Sequence, residues 1–298
     1  MKRASMATVR AVILTLRPHQ WVKNLFVAAP LVFAKHLVDA GYLWRAGLAV
    51  AAFCALSGAV YAINDVIDAE ADRAHPTKRR RPIAAGQLGE RAALILAGGL
   101  VVAALGACLA LSWQTAAWAG AYLAINLAYS LKLKQVAFVD VGLIASGFMT
   151  RVAAGGAAIA VAPSTWLLVC TGLLATFLAL GKRAHELALA GREGRDAAAT
   201  RAALAGYSRG WVRVAMLGLG LATAAAYLLY TVDDHTVAYF GTRELPWSAP
   251  FCVVGLTRFA WLALRDPRPD SPTDAMLRDA VFLLNLLAWA VVIVVIVY

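Results

Sequence analysis

Oxygen-bearing side chains recur at helical spacing in Asn64-Asp65-Val66-Ile67-Asp68-Ala69-Glu70-Ala71-Asp72-Arg73. At 3.6 residues per turn, Asn64, Asp68 and Asp72 fall at about 0°, 40° and 80° around a helix, and Asp65 at about 100°. Glu70 points elsewhere, at about 240°. Unpaired carboxylates this close repel one another and resist dehydration. Hard oxygen donors suit Mg²⁺, which commonly bridges carboxylates to substrate phosphates. The expected metal set is Asn64, Asp68 and Asp72, with Asp65 beside it. A solvated acidic helix end paired with nearby cations is the plainer alternative.

The next segment favours the metal–diphosphate reading. His75-Pro76-Thr77-Lys78-Arg79-Arg80-Arg81-Pro82-Ile83-Ala84-Ala85-Gly86 places four consecutive cations a few residues beyond the acidic stripe. Pro76 and Pro82 break regular helix and should present them on a loop. Arginine offers bidentate bonds to phosphate and lysine a point charge, and Lys78 and Arg81 are the expected ligands. Some of the four also serve as ordinary membrane-side anchors.

These residues need a scaffold, and composition defines it. Of 298 residues, 61% are hydrophobic and 15% charged, with a mean hydropathy of +0.69. One soluble core of this length cannot hide so many apolar side chains, and disorder is excluded for the same reason. Cys54, Cys108, Cys170 and Cys252 are scattered without a CxxC pair, neither a zinc nor a redox pattern. The expectation is an all-α integral membrane protein. Nine apolar stretches are long enough to span, at 21–38, 46–66, 91–112, 114–131, 138–161, 165–181, 213–230, 248–264 and 280–297. Lys23, Asn24 and Pro30 interrupt the first.

With a cytoplasmic N-terminus, residues 1–23, 67–91, 132–137, 182–213 and 265–279 share one side and hold 23 of the 28 basic residues. That asymmetry orients the bundle and accounts for the net charge of +11 without a nucleic-acid partner. Residues 1–20 read as an interfacial helix, and the whole of 1–298 as one catalytic domain. The polar stretch 266–279, with Pro267, Pro269 and Pro272, reads as a cytoplasmic connection.

Asn64–Gly86 resembles the first signature of the UbiA superfamily of intramembrane prenyltransferases. The resemblance implies a ring of nine helices around a central cavity, a cytoplasmic active site, and Mg²⁺ holding a diphosphate. The second acidic run of the superfamily is reduced here. Tyr129-Ser130-Leu131-Lys132-Leu133-Lys134 leads to a single Asp140. Three further stretches resemble the phosphoribosyltransferase branch: Leu16-Arg17-Pro18-His19-Gln20-Trp21-Val22-Lys23-Asn24, Gly147–Gly156 around Arg151, and Leu180-Gly181-Lys182-Arg183-Ala184-His185-Glu186-Leu187.

By that resemblance the substrates are phosphoribosyl diphosphate and a polyprenyl (decaprenyl) phosphate lipid. The location is the bacterial inner membrane, and a homo-oligomer is left open. Asp65, Asp68, Asp72 and Asp140 are then the catalytic carboxylates. Arg17, Lys23, Asn64, Lys78, Arg81, Tyr129, Lys132, Lys134, Arg151, Lys182, Arg183 and Glu186 are the substrate-binding set. Lys182 and Glu186 could instead form a surface i,i+4 pair, and Arg151 a buried ion pair. Arg258 could snorkel to the inner surface. Tyr207, Ser208 and Arg209 carry only a weak signal of loop closure. Two other functions compete: transfer of a prenyl group to an aromatic or quinone acceptor, and polyanion transport. A transporter should carry polar groups through the bilayer depth, whereas these cluster at one face.

Overall fold

The computed structural model describes residues 2–75, 77–192, 194, 202–265 and 271–298. Pro76, residues 195–201 of the 182–213 loop and residues 266–270 of the 265–279 loop lie outside them. Among the described residues every regular element is helical. The α-helices are α1 (Lys2–Leu16), α2 (Ala29–Phe33), α3 (Ala40–Ile67), α4 (Ala69–Ala74), α5 (Glu90–Leu111), α6 (Trp113–Leu131) and α7 (Val139–Ala158). They continue with α8 (Thr165–Arg192), α9 (Arg209–Val232), α10 (Asp234–Phe240), α11 (Ala249–Leu264), α12 (Pro272–Leu277) and α13 (Ala280–Val297).

Seven helices among the described residues are long and apolar enough to cross a membrane, against nine spans expected. Two stretches account for the difference. The 21–38 span is not one α-helix: a 3₁₀ run covers Pro18–Ala28, and α2 follows for five residues. Pro18 and Pro30 each sit at a helix start, where their missing N–H is not needed. Helix α6 stands where expected, but Trp113, Gln114 and Asn126 lower its hydropathy. Helix α8 runs to Arg192, so residues 182–192, expected as loop, extend a membrane-length helix. The interfacial segment expected over 1–20 contains α1, which stops before Pro18.

The chain divides into two compact units. Residues 1–130 and 150–163 form the first, and residues 131–149 and 164–298 the second. In the first, α3 packs on α5 and on the Pro18–Ala28 run. Its core holds Phe53, Leu56, Tyr122 and a set of alanines that let helices approach closely. Gly155 is the tightest point: a Cβ there would lie 1.8 Å from the Val27 carbonyl oxygen, so only glycine fits. In the second unit, α8 packs on α9 and α11, and α11 on α13. Phe177, Leu180, Met216 and Phe259 fill that core. Leu284, Leu287 and Val295 on α13 are 67%, 62% and 74% exposed, a surface suited to lipid rather than water. All four cysteines are free thiols.

Candidate active site

Helix α3 ends at Ile67, and Asp68 is the junction with α4. The helical bonding pattern nevertheless continues. The Asp68 N–H donates to the Asn64 carbonyl at 2.9 Å, and the Asp72 N–H to the Asp68 carbonyl at 2.8 Å. The stripe read from spacing is therefore real, with a bend in it.

The structure places cations on this stripe. Asp65 and Asp72 are each 2% exposed. Arg17 Nη2 donates to Asp65 Oδ1 at 2.6 Å, and Arg81 Nη1 reaches the same oxygen at 3.2 Å and Asp72 Oδ2 at 2.7 Å. The Arg17 guanidinium also lies over the Tyr61 ring, 5.0 Å from its centroid. Arg17 has a left-handed backbone (φ 51°), which turns the chain from α1 into the following 3₁₀ run. Arg17 and Arg81 thus pair with the acidic stripe as an alternating chain of opposite charges, the pairing that the plainer alternative describes. The two arginine side chains remain 25% and 28% exposed.

Asn64 differs from its neighbours. Its Oδ1 is buried and makes no hydrogen bond among the described residues. A buried amide oxygen without a donor carries a desolvation cost. A hard cation would remove that cost, and Asn64, Asp68 and Asp72 are oxygen donors of the kind Mg²⁺ takes. No three His, Cys, Asp or Glu side chains among the described residues already converge as a metal cage. The set would be completed by the Asn64 amide and by Asp72 exchanging its guanidinium partner. Asp68 is half-buried, and Lys78 is exposed on the 3₁₀ turn Lys78–Arg80. Gly86, in the turn that ends this loop, takes φ +72°.

Arg151 also belongs to the first unit. It is 7% exposed; its Nε donates to Asn24 Oδ1 at 2.8 Å and its Nη2 to the Tyr122 hydroxyl at 3.0 Å. The guanidinium lies 4.6 Å from the Tyr122 ring centroid. The intramembrane charge is thus held by an amide, a phenol and an aromatic face. Asn24, fully buried, donates in turn to Ser57 Oγ at 3.0 Å. Sequence reasoning quoted Asn24 within a motif but did not single it out, and nothing in local spacing links residues 24, 122 and 151. Lys23 donates to Gln20 Oε1 at 2.6 Å, and Tyr129 is half-buried near the end of α6.

The second unit holds a different cluster. Asp140 and Arg183 are both fully buried. Their Oδ2 and Nε atoms approach to 3.1 Å as an ion pair without hydrogen-bond alignment. Asp140 Oδ1 accepts from the Tyr207 hydroxyl at 2.7 Å and from the Val141 N–H at 2.9 Å. Tyr207 accepts the Phe138 N–H at 2.6 Å. Arg183 Nη1 also pairs with Glu186. Burial first, then the hydrogen bond to Asp140, push the Tyr207 phenol above its ordinary pKa.

Two of the expected site residues are enclosed in this geometry. Asp140, expected to assist a metal, has its carboxylate enclosed by Tyr207 and Arg183. Arg183, expected to close over a phosphate, is sealed between Asp140 and Glu186. Both hold structure around them, and Tyr207, given only a weak signal by sequence, is their hub. Lys132 is exposed beside the 3₁₀ turn Leu133–Gln135, while Lys134 and Lys182 are half-buried. Arg258 does not simply snorkel: it binds Asp279 through Nε at 3.0 Å and Nη2 at 2.6 Å.

Among the described residues the fold is that of a multi-pass, all-helical membrane protein. The chain belongs to the UbiA prenyltransferase family, whose model matches residues 24–297. It is 34% identical over 296 residues to a decaprenyl-phosphate phosphoribosyltransferase of Mycolicibacterium smegmatis, covering 94% of this chain and 90% of that protein. The protein of the same name from Mycobacterium tuberculosis is 36% identical over 287 residues, covering 94% of this chain and 92% of its own. Among solved structures, a UbiA homolog from Archaeoglobus fulgidus bound to GPP and Mg²⁺ superposes with a TM-score of 0.69. That match covers 96% of each chain at 14% identity, a likeness of fold.

Proposed function

We propose that this chain is a membrane-embedded transferase moving 5-phosphoribose from phosphoribosyl diphosphate to a polyprenyl (decaprenyl) phosphate. The observation that supports it best is the extent of the similarity to named decaprenyl-phosphate phosphoribosyltransferases, 94% of this chain at about one identity in three. The side chains are in keeping with it. Asn64, Asp68 and Asp72 would hold Mg²⁺, with Asp65 beside them. Bound there, the ion would neutralise the diphosphate leaving group and so lower the barrier to its departure.

The remaining steps belong to the protein. Arg17 and Arg81 pair with Asp65 and Asp72 and are themselves exposed enough to reach an anion. Lys78 in the first unit, and Lys132, Lys134 and Lys182 in the second, are the lysines proposed to offer positive charge to phosphate groups. An oxygen of the lipid phosphate bonds to ribose C1′ as the bond from C1′ to the diphosphate oxygen breaks. Both phosphates are already ionised near neutral pH, so no side chain need remove a proton. Positioning and charge neutralisation account for the rate, without a covalent enzyme intermediate. Asp140, Arg183, Glu186 and Tyr207 are positioning residues in this scheme.

The finer membrane reading is nine crossings in the bacterial inner membrane, with N-terminus and reaction centre cytoplasmic. The product would feed a cell-envelope glycan such as arabinan. The test uses purified full-length protein with Mg²⁺, radiolabelled phosphoribosyl diphosphate and decaprenyl phosphate. Label entering the lipid phase is expected. No label there, together with turnover of a prenyl diphosphate and an aromatic acceptor, would replace this reading with ordinary prenyl transfer.

A further inference from the structure

A separate cavity of about 240 Å³ lies in the second unit. Its polar wall is three arginines: Arg192, Arg209 and Arg213. Leu187, Ala188 and Leu264 supply an apolar wall. Arg192 is the last residue of α8, Arg209 the first of α9, and Leu264 the last of α11. Three membrane-length helices therefore bring their ends together here. The cavity opens on another face of α8 from the sealed cluster: relative to Arg183, Ala188 and Gly191 are rotated by about 140° and 80°.

Arg192, Arg209 and Arg213 are exposed, and an anion among them would offset the repulsion of three like charges around one small cavity. None of the three is paired with a carboxylate among the described residues. The N-terminus of α9 adds its own partial positive charge. Gly191 shows how close the packing is: a Cβ there would lie 1.7 Å from Arg209 Nη2. The guanidinium thus rests directly on the α8 backbone, and any side chain at 191 would push it out of the cavity. Guanidinium groups bind phosphate oxygens through paired, charge-assisted hydrogen bonds. Leu187 and Leu264 beside them suit a hydrocarbon chain.

We propose that this pocket binds the phosphate of an anionic membrane phospholipid, with Arg192, Arg209 and Arg213 on the headgroup and Leu187 and Leu264 along the chain. Basic pockets between spans at a membrane face bind anionic headgroups by this chemistry. The site is independent of the transfer reaction above. Native mass spectrometry of the full chain in detergent tests it, using phosphatidylglycerol, phosphatidylcholine and inorganic phosphate as probes.

Wild-type protein should retain phosphatidylglycerol but neither phosphatidylcholine nor inorganic phosphate. Retention should fall about tenfold for each arginine lost in Arg209→Gln and Arg213→Gln. Gly191→Leu keeps every charge and adds a helix-favouring residue, and it should weaken retention at least as much as one arginine loss. Equal retention of the two lipids, inorganic phosphate matching phosphatidylglycerol, or unchanged retention in these variants would each overturn the proposal.

Discussion

The two charged clusters use the same side-chain types in opposite ways. In Arg17–Asp65–Arg81–Asp72 the carboxylates are buried, but their arginine partners are a quarter exposed. In Asp140–Arg183 both partners are fully buried, with a tyrosine on Asp140 and a partly exposed Glu186 on Arg183. An exposed guanidinium can trade its carboxylate for a phosphate or yield it to a metal at small desolvation cost. A sealed one cannot, because removing a partner strands a buried charge. Charge identity alone does not separate binding from support; access of the partner does.

The largest expected effect is on the sealed pair. Arg183→Ala should destabilise the protein by about 3–5 kcal/mol, read from the denaturation midpoint in detergent. The double variant Asp140→Asn with Arg183→Met should be milder, because no charge is left stranded. A stable, fully folded Arg183→Ala would erase the contrast. Next comes the open cluster: Asp68→Ala should lower turnover by about 10²-fold or more while leaving the unfolding temperature nearly unchanged. If its stability falls as far as that of Arg183→Ala, the two clusters are not different in kind.

A smaller effect is expected of Tyr207→Phe, which removes one donor from Asp140 Oδ1 and orphans the Phe138 N–H. Asp140 Oδ1 keeps the Val141 N–H, so the loss should cost about 1–2 kcal/mol of stability. The raised Tyr207 pKa adds a pH signature. The folded state favours the neutral phenol, so that contribution is present below the unfolded value of about 10 and declines as pH rises above it. Unfolding temperatures from pH 8 to 11 should fall more steeply in the wild type than in Tyr207→Phe. The smallest effect calibrates the others. Arg73 and Glu90 pair at 2.7 Å but are about half exposed, at 51% and 50%. Arg73→Ala should change stability by no more than about 1 kcal/mol.

Hydropathy located most of the scaffold because lipid leaves the chain few choices: an apolar run of about 20 residues must be helical. Stretches expected at 91–112, 213–230 and 280–297 became helices at 90–111, 209–232 and 280–297. The end of α8 was not visible this way. Beyond residue 181 the chain turns charged, yet Ala, Leu, Arg and Glu continue a helix as readily in water as in lipid. Apolar content also does not reveal that Pro18 and Pro30 start separate short segments in the first stretch.

The chemistry was legible as residue types, and the pairings were not. Asp65 and Arg17 are 48 residues apart, Asp140 and Tyr207 67, and Asn24 and Arg151 127. Such contacts arise only when helices pack. Asp140 therefore looked like the remnant of an acidic motif when its neighbours make it the anchor of a buried arginine. Arg192, Arg209 and Arg213 passed as membrane-side charges until three helix ends brought them around one cavity.

The central claim is that the open carboxylates grip a diphosphate through Mg²⁺. Calorimetric titration of phosphoribosyl diphosphate into wild-type protein tests it directly, with Mg²⁺ or with excess chelator, and again into Asp68→Ala. Binding that requires Mg²⁺ and disappears in the variant is the expected result. Equal affinity in chelator, or in Asp68→Ala, would contradict it.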